Sequence, residues 1–191
     1  MKEEGRRQKY RKMGNFIPHP FSFIAVTIVL LLSCATVNNI PESSQSHIIE
    51  NVPFYPQTTY QCGPASLAGV LDYWGIKVNP DEIAGEIYSE SARGTLSIDM
   101  VLYAQGKGLK ATQYEGSLED LRKNIESGHP IIVLIDYGFS LYQVNHFMVV
   151  IGYNEHGVIV NSGRDKGKFM SEKDFMRSWK KTKFWTLLIK K

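Results

Sequence analysis

Four short apolar runs dominate the second half of the chain: HPIIVLIDY (129–137), NHFMVVIGY (145–153), GVIVNSG (157–163) and KFWTLLIK (183–190). Each is rich in β-branched and aromatic residues, too short for a core helix and bounded by turn residues, the pattern of strands in a sheet. Only SEKDFMRSW (171–179) interrupts them with a helical pattern. The first half reads differently. A helix is predicted from about Gly63 to Trp74, with Leu67, Val70 and Leu71 on one stripe. A second helix follows Asn79-Pro80-Asp81-Glu82, with asparagine as cap and proline in the first turn. Ser97 is expected to cap a third, IDMVLYAQ. After a strand at Leu109–Tyr114, Ser117-Leu118-Glu119-Asp120 has capping-box spacing, with Asp in place of the usual Glu. Helices first and an antiparallel sheet second make an α+β domain, a helical half packed on a sheet half.

The domain is expected to span 48–191. With 43% hydrophobic and 21% charged residues, the chain has the balance of one ordinary globular domain. Residues 1–33 hold six of the 22 basic and two of the 19 acidic residues, which leaves 16 against 17, a formal net of −1. The basic excess therefore belongs to the leader, and nucleic acid is not an expected partner of the domain.

The leader itself reads as a targeting segment. A basic run (Arg6, Arg7, Lys9, Arg11, Lys12) precedes FSFIAVTIVLLLS, residues 21–33, which is shorter than the roughly 20 residues that cross a bilayer as a helix. The run ends in Leu31-Leu32-Ser33-Cys34, which resembles the lipobox of bacterial lipoproteins. That resemblance implies cleavage after Ser33, lipidation of Cys34 and a lipid-anchored protein in the cell envelope, in the outer membrane if the host is Gram-negative. An uncleaved anchor with an incidental cysteine is the alternative. Residues 34–47 are expected to act as a polar tether.

The chain has two cysteines, so lipidation of Cys34 leaves Cys62 without a disulfide partner. Cys62 stands at the start of the first predicted helix, where unpaired N–H groups favour a thiolate. Pro64 in that first turn loses nothing by lacking an N–H. A small buried apolar cysteine is the competing reading. A nucleophilic thiol needs a base, and the base needs an orienting partner. His19 lies in the leader, His47 in the tether, His129 before a proline and His156 in a turn. His146 alone opens a strong strand and is the candidate base. No set of side chains has metal-site spacing, and no Gly-rich phosphate loop is present, so neither a metal nor a cofactor is expected.

VPFYPQTTYQCGPASLAGVLDYWG (52–75), with NHFMVVIGYNEHGVIVNSG (145–163) downstream, resembles the papain-like cysteine peptidases related to the bacteriocin-processing, double-glycine leader peptidases. The resemblance covers about Val52 to Ile189. It implies a papain-like fold, with Cys62 as nucleophile, His146 as general base, Gln57 as oxyanion donor and Asn161 as orienting residue. The oxyanion role also has a physical basis, because the Cys62 backbone N–H supplies only one donor. Gln61 is the rival for it. That group usually carries Asp where Asn161 stands, and Asp165 is the rival orienter. A hairpin turning symmetrically about Glu155-His156 would pair Asn161 with Val150 and bring Asp165 opposite His146, whereas an earlier turn would bring Asn161 opposite. The expected function is membrane-anchored peptide-bond hydrolysis, with a peptide or protein as substrate. An amidase or acyl or peptidyl transferase using the same residues, or an inactive peptide-binding module, is the alternative. Tyr60, Trp74, Tyr142 and Phe147 are candidate lining for a peptide groove.

Overall fold

A computed structural model describes residues 46–57 and 61–191. The expected leader, most of the tether, Cys34 and Tyr60 lie outside the described residues. Five helices, α1 (Cys62–Tyr73), α2 (Pro80–Ile87), α3 (Ser97–Gly106), α4 (Leu118–Glu126) and α5 (Glu172–Lys180), accompany the described strands. The strands are β1 (His47–Ile48), β2 (Tyr88–Ser89), β3 (Gly94–Thr95), β4 (Lys110–Glu115), β5 (Ile131–Asp136), β6 (Asn145–Asn154), β7 (Gly157–Ser162), β8 (Asp165–Ser171) and β9 (Trp185–Lys190). The main sheet runs β4-β9-β5-β6-β7-β8, with β1 added to the end of β6, and all its pairings are antiparallel. This is the expected α+β architecture, helices packed against an antiparallel sheet.

Residues of β5 and β7 are buried almost without alternation. Such strands need cover on both faces, and α1, α4 and α5 supply it. Leu67 and Leu71 of α1, Ile125 of α4, Phe175 and Trp179 of α5 and Ile132, Met148 and Val150 of the sheet are fully buried in one core. At about 25 cal/mol per Å² of apolar surface removed from water, residues of this kind carry most of the stabilisation.

Local chemistry explains most element ends. The Asn79 side chain accepts from the Asp81 N–H at 2.9 Å with Pro80 leading α2, as the sequence predicts. Ser117 accepts from the Asp120 N–H at 3.1 Å. The Asp120 carboxylate takes the Tyr114 hydroxyl and the Asn124 side chain, so the capping box is closed from the serine side. Ser97 is the first residue of α3 rather than its cap; Leu96 precedes it in extended conformation without a side-chain cap. Strand β8 is absent from the sequence reading because it is a half-exposed edge with three charged residues in seven, a composition that blunts edges rather than announcing strands.

The β6–β7 hairpin turns at Glu155-His156, with Asn154 opposite Gly157 and Tyr153 opposite Val158. Between Val150 and Gly152 the register shifts, so that Val150 faces Val160 and Val149 faces Asn161. Ile151 is the extra residue of a β-bulge. Because side chains alternate with a period of two, this one-residue slip exchanges the faces of everything beyond it.

Candidate active site

Helix α1 opens on Cys62, and its first hydrogen bond runs from the Ala65 N–H to the Gln61 carbonyl at 3.0 Å. Two glycines let neighbouring segments come close. A Cβ on Gly63 would lie 2.8 Å from Cβ of Thr95 in β3, and one on Gly69 would lie 2.7 Å from the Pro53 carbonyl oxygen. The extended segment through Pro53 thus rests directly on α1 and carries Gln57 toward the sheet, where the Gln57 N–H donates to the Gly163 carbonyl at 2.9 Å.

Cys62 is half-buried at the margin of the core. Burial pushes its thiol pKa up, the opposite of the thiolate bias expected from the helix start; the N–H groups of Phe147, Gly63 and Cys62 itself oppose that shift without overcoming it. The Phe147 N–H belongs to the residue that follows His146, so the thiol lies against β6 one residue along from the candidate base.

His146 is half-buried near the start of β6. Its Nε2 lies 3.0 Å from Ser162 Oγ, and its ring packs on Tyr137 with centroids 5.7 Å apart. Burial, with a smaller contribution from the Lys168 charge, lowers its pKa from 6.5 to about 4. Cys62 and His146 are therefore both neutral near pH 7.

The residue that meets the imidazole is Ser162, and the expected contact with Asn161 is not formed. The bulge places Asn161 opposite Val149, on the alternate face from His146. There Asn161 is buried, its Oδ1 accepts from the Gly167 N–H at 3.0 Å, and its Nδ2 has no hydrogen-bond partner among the described residues. Asp165 does not serve either: it is exposed and pairs with Lys168 at 3.3 Å. Ser162 was missed because the symmetric turn was legible and the bulge was not. Its one signal was an even spacing from His146, which restores a shared face once an extra residue is absorbed.

Gln57 lines a small cleft with Ala65 and Ser66 of α1 and Val149 and Asn161 of the sheet. Gln61 points elsewhere, its Nε2 donating to Asp81 at 3.0 Å. The expected aromatic groove does not assemble. Phe147 is in the core. Trp74 caps the far end of α1, about 18 Å from Cys62 at the helical rise, and donates its indole N–H to the Ile189 carbonyl at 2.9 Å. Tyr142 is exposed. Among the described residues no group of three or more His, Cys, Asp or Glu could hold a metal ion, and no helix is long and apolar enough to cross a membrane.

The model of the Peptidase_C39 like family matches residues 49–186, most of the chain and every element just described except β1 and the greater part of β9. The chain belongs to the peptidase C39-like family. Among solved structures, this C39-like chain is similar to a C39-like peptidase from Bacillus anthracis, with a TM-score of 0.65 and 20% identity over 77% of this chain and 98% of that one. It is also similar to the peptidase domain of Streptococcus ComA, a bifunctional ABC transporter of a quorum-sensing pathway, with a TM-score of 0.62 and 22% identity over 73% and 98% of the two chains. A double-glycine-motif protease from an AMS/PCAT transporter, solved with its leader peptide, gives a TM-score of 0.60 and 23% identity over 76% and 98%. These likenesses show the fold. An uncharacterised protein of Methanothermobacter thermautotrophicus is 35% identical over 100 residues, which are 52% of this chain and 63% of that protein. This C39-like chain thus spans a little under two thirds of that relative.

Proposed function

We propose that this C39-like protein is a cysteine peptidase held at the cell envelope through a lipid on Cys34. The observation that carries the catalytic reading is the placement of the Cys62 thiol at the start of α1, against the N–H of the residue that follows His146, whose Nε2 meets Ser162. With Nε2–H donating to Ser162, the lone pair of the imidazole is on Nδ1, and that nitrogen takes the thiol proton.

The sulfur then bonds to the scissile carbonyl carbon. The oxyanion is met by the Cys62 N–H and the Gln57 side-chain amide. Imidazolium returns its proton to the leaving amine as the C–N bond breaks. Water, deprotonated by the same nitrogen, hydrolyses the thioester and restores the thiol. The substrate is a peptide or protein segment; related structures include a protease bound to a leader peptide. The reading is tested by exposing the protein to a mixture of unrelated peptides and following cleavage by mass spectrometry, with Cys62→Ala and His146→Ala as controls. Cleavage that survives either change rejects it.

A second reading, a peptide-binding module without turnover, is favoured by one observation: the imidazole partner is an uncharged serine, and the thiol and imidazole are both neutral. Binding of peptides without cleavage by the unmodified protein would select it.

For the anchor, intact mass of membrane-extracted protein should begin at Cys34 and include acyl chains. A chain that still begins at Met1 would reject lipidation.

A further inference from the structure

The hairpin loop between β5 and β6 is apolar at its tip and fully in solvent. Phe139 is 88% exposed, Leu141 99% and Tyr142 76%, with Tyr137 and Val144 half-exposed at the root. Apolar residues gathered on one projecting turn mark an interaction site.

The turn is built to hold this shape. The Tyr137 N–H donates to the Val144 carbonyl at 3.0 Å and the Tyr142 N–H to the Phe139 carbonyl at 3.1 Å, with Ser140 in the left-handed region at φ 56°. Buried Asp136 accepts from the Gly138 and Val144 N–H groups at 2.7 and 2.8 Å. A Cβ on Gly138 would lie 1.9 Å from the Tyr142 carbonyl oxygen, so the fold there requires glycine. Backbone bonds and a buried carboxylate thus present side chains that a free-standing domain would otherwise tuck away.

Charge around the tip points to its occupant. Lys181 Nζ donates to the Gly138 carbonyl at 2.5 Å, and Thr182 Oγ1 to the Leu134 carbonyl at 2.5 Å, so the turn after α5 sits against the loop root. The last residue of α5, Lys180, and Lys183 in that turn are exposed. The β7–β8 turn and the start of β8, at the same end of the antiparallel sheet, add exposed Arg164 and Lys166. Acidic groups at this end are fewer: Asp136 faces inward to the loop amides, Asp165 is paired with Lys168, and exposed Glu115, opposite Trp185 in the β4–β9 ladder, is one carboxylate against four exposed cations.

We propose that this loop docks on an anionic bilayer, with Phe139, Leu141 and Tyr142 entering the interface and Lys180 and Lys183 meeting lipid phosphates. An apolar tip inside a basic collar is the arrangement interfacial binding uses, apolar burial adding to attraction toward anionic headgroups. The docking does not depend on the Cys34 lipid. Tyr137 joins the loop to the His146 ring, so docking sets the catalytic end of the sheet at the membrane surface.

The test uses the full chain carrying Leu141→Trp, a change at an almost fully exposed position that leaves packing intact. Its fluorescence above that of the unsubstituted protein is read in vesicles containing phosphatidylglycerol, with or without brominated acyl chains. Bromination should roughly halve the added fluorescence, an effect that Lys180→Glu with Lys183→Glu removes and that purely phosphatidylcholine vesicles do not produce. Absence of quenching in the anionic vesicles overturns the proposal, as does equal quenching in both lipids. A blue shift produced without lipid, by raising protein concentration or by adding an apolar peptide, together with no quenching, would assign the loop to a second copy or to a peptide instead.

Discussion

Ser162 Oγ stands 3.0 Å from Nε2 of His146, while Asn161, one residue earlier, is turned to the opposite face of the sheet and bonded to the Gly167 N–H. A hydroxyl can fix the tautomer and orientation of the ring, but it carries no charge to stabilise imidazolium.

Ser162→Ala should therefore cost about 2- to 10-fold in kcat/KM, the worth of one ordinary hydrogen bond, and leave the fold intact. Asn161→Ala should act on stability, through the lost bond to Gly167, with kcat/KM of the folded fraction near the unsubstituted value. Steady-state peptide cleavage alongside thermal unfolding separates the two. Equal kinetic damage from Asn161→Ala would return the orienting role to asparagine.

Ionisation of His146 should fall near pH 4, not 6.5, because its site is half-buried and faces the Lys168 charge. Between those values the unfolded chain binds a proton that the folded chain refuses. The stability this group contributes is therefore complete above about 6.5 and is lost as pH falls toward 4. The acid limb of kcat/KM should follow the same low value. Lys168→Gln should raise the pKa only partly, since burial is the larger cause. Titration of the ring by NMR checks both, and a midpoint near 6.5 in the unsubstituted protein would contradict them.

Most of the fold was legible because its signals are local. The Asn79 and Ser117 caps, the α1 stripe and the β-branched runs each depend on neighbours in sequence, and all are where those patterns predict. The bulge at Ile151 is different. It lies where β1, β6 and β7 meet, and its one local signal is Gly152 inside the strand run, a residue type that often marks a bulge or a close backbone approach. Since register parity decides which side chains face His146, one extra residue was enough to exchange Asn161 for Ser162. The thiol stays open between two readings in the sequence for a similar reason: a helix start is visible there, whereas burial of the sulfur comes from elements far along the chain.

Gly69→Ala should reduce activity without touching a catalytic side chain. The new methyl would meet the Pro53 carbonyl oxygen at 2.7 Å, backbone that cannot rotate away, so the segment carrying Gln57 must lift from α1. Overpacking of this kind costs about 1–3 kcal/mol in stability. A loss in kcat/KM beyond the unfolded fraction, with Cys62 still open to alkylation, is the expected pattern. An unchanged melting temperature would mean that the segment does not rest on the helix.

Gln57→Ala and Gln61→Ala offer a paired comparison. Gln57 lines a cleft with Ala65 and Ser66 of the helix that Cys62 opens, while the Gln61 side chain is engaged by Asp81. Loss of one oxyanion donor should lower kcat by about 100-fold or more for Gln57→Ala, with Gln61→Ala close to unsubstituted. Reversed effects would reassign the donor.

Peptide-level mass spectrometry after chloroacetamide treatment at neutral pH decides whether Cys62 is a nucleophile served by His146. The thiol is raised in pKa by burial and should depend on the imidazole for proton removal. The peptide containing Cys62 should therefore be alkylated in the unsubstituted protein and markedly more slowly in His146→Ala. An unlabelled Cys62, or one labelled at the same rate in both proteins, would contradict it.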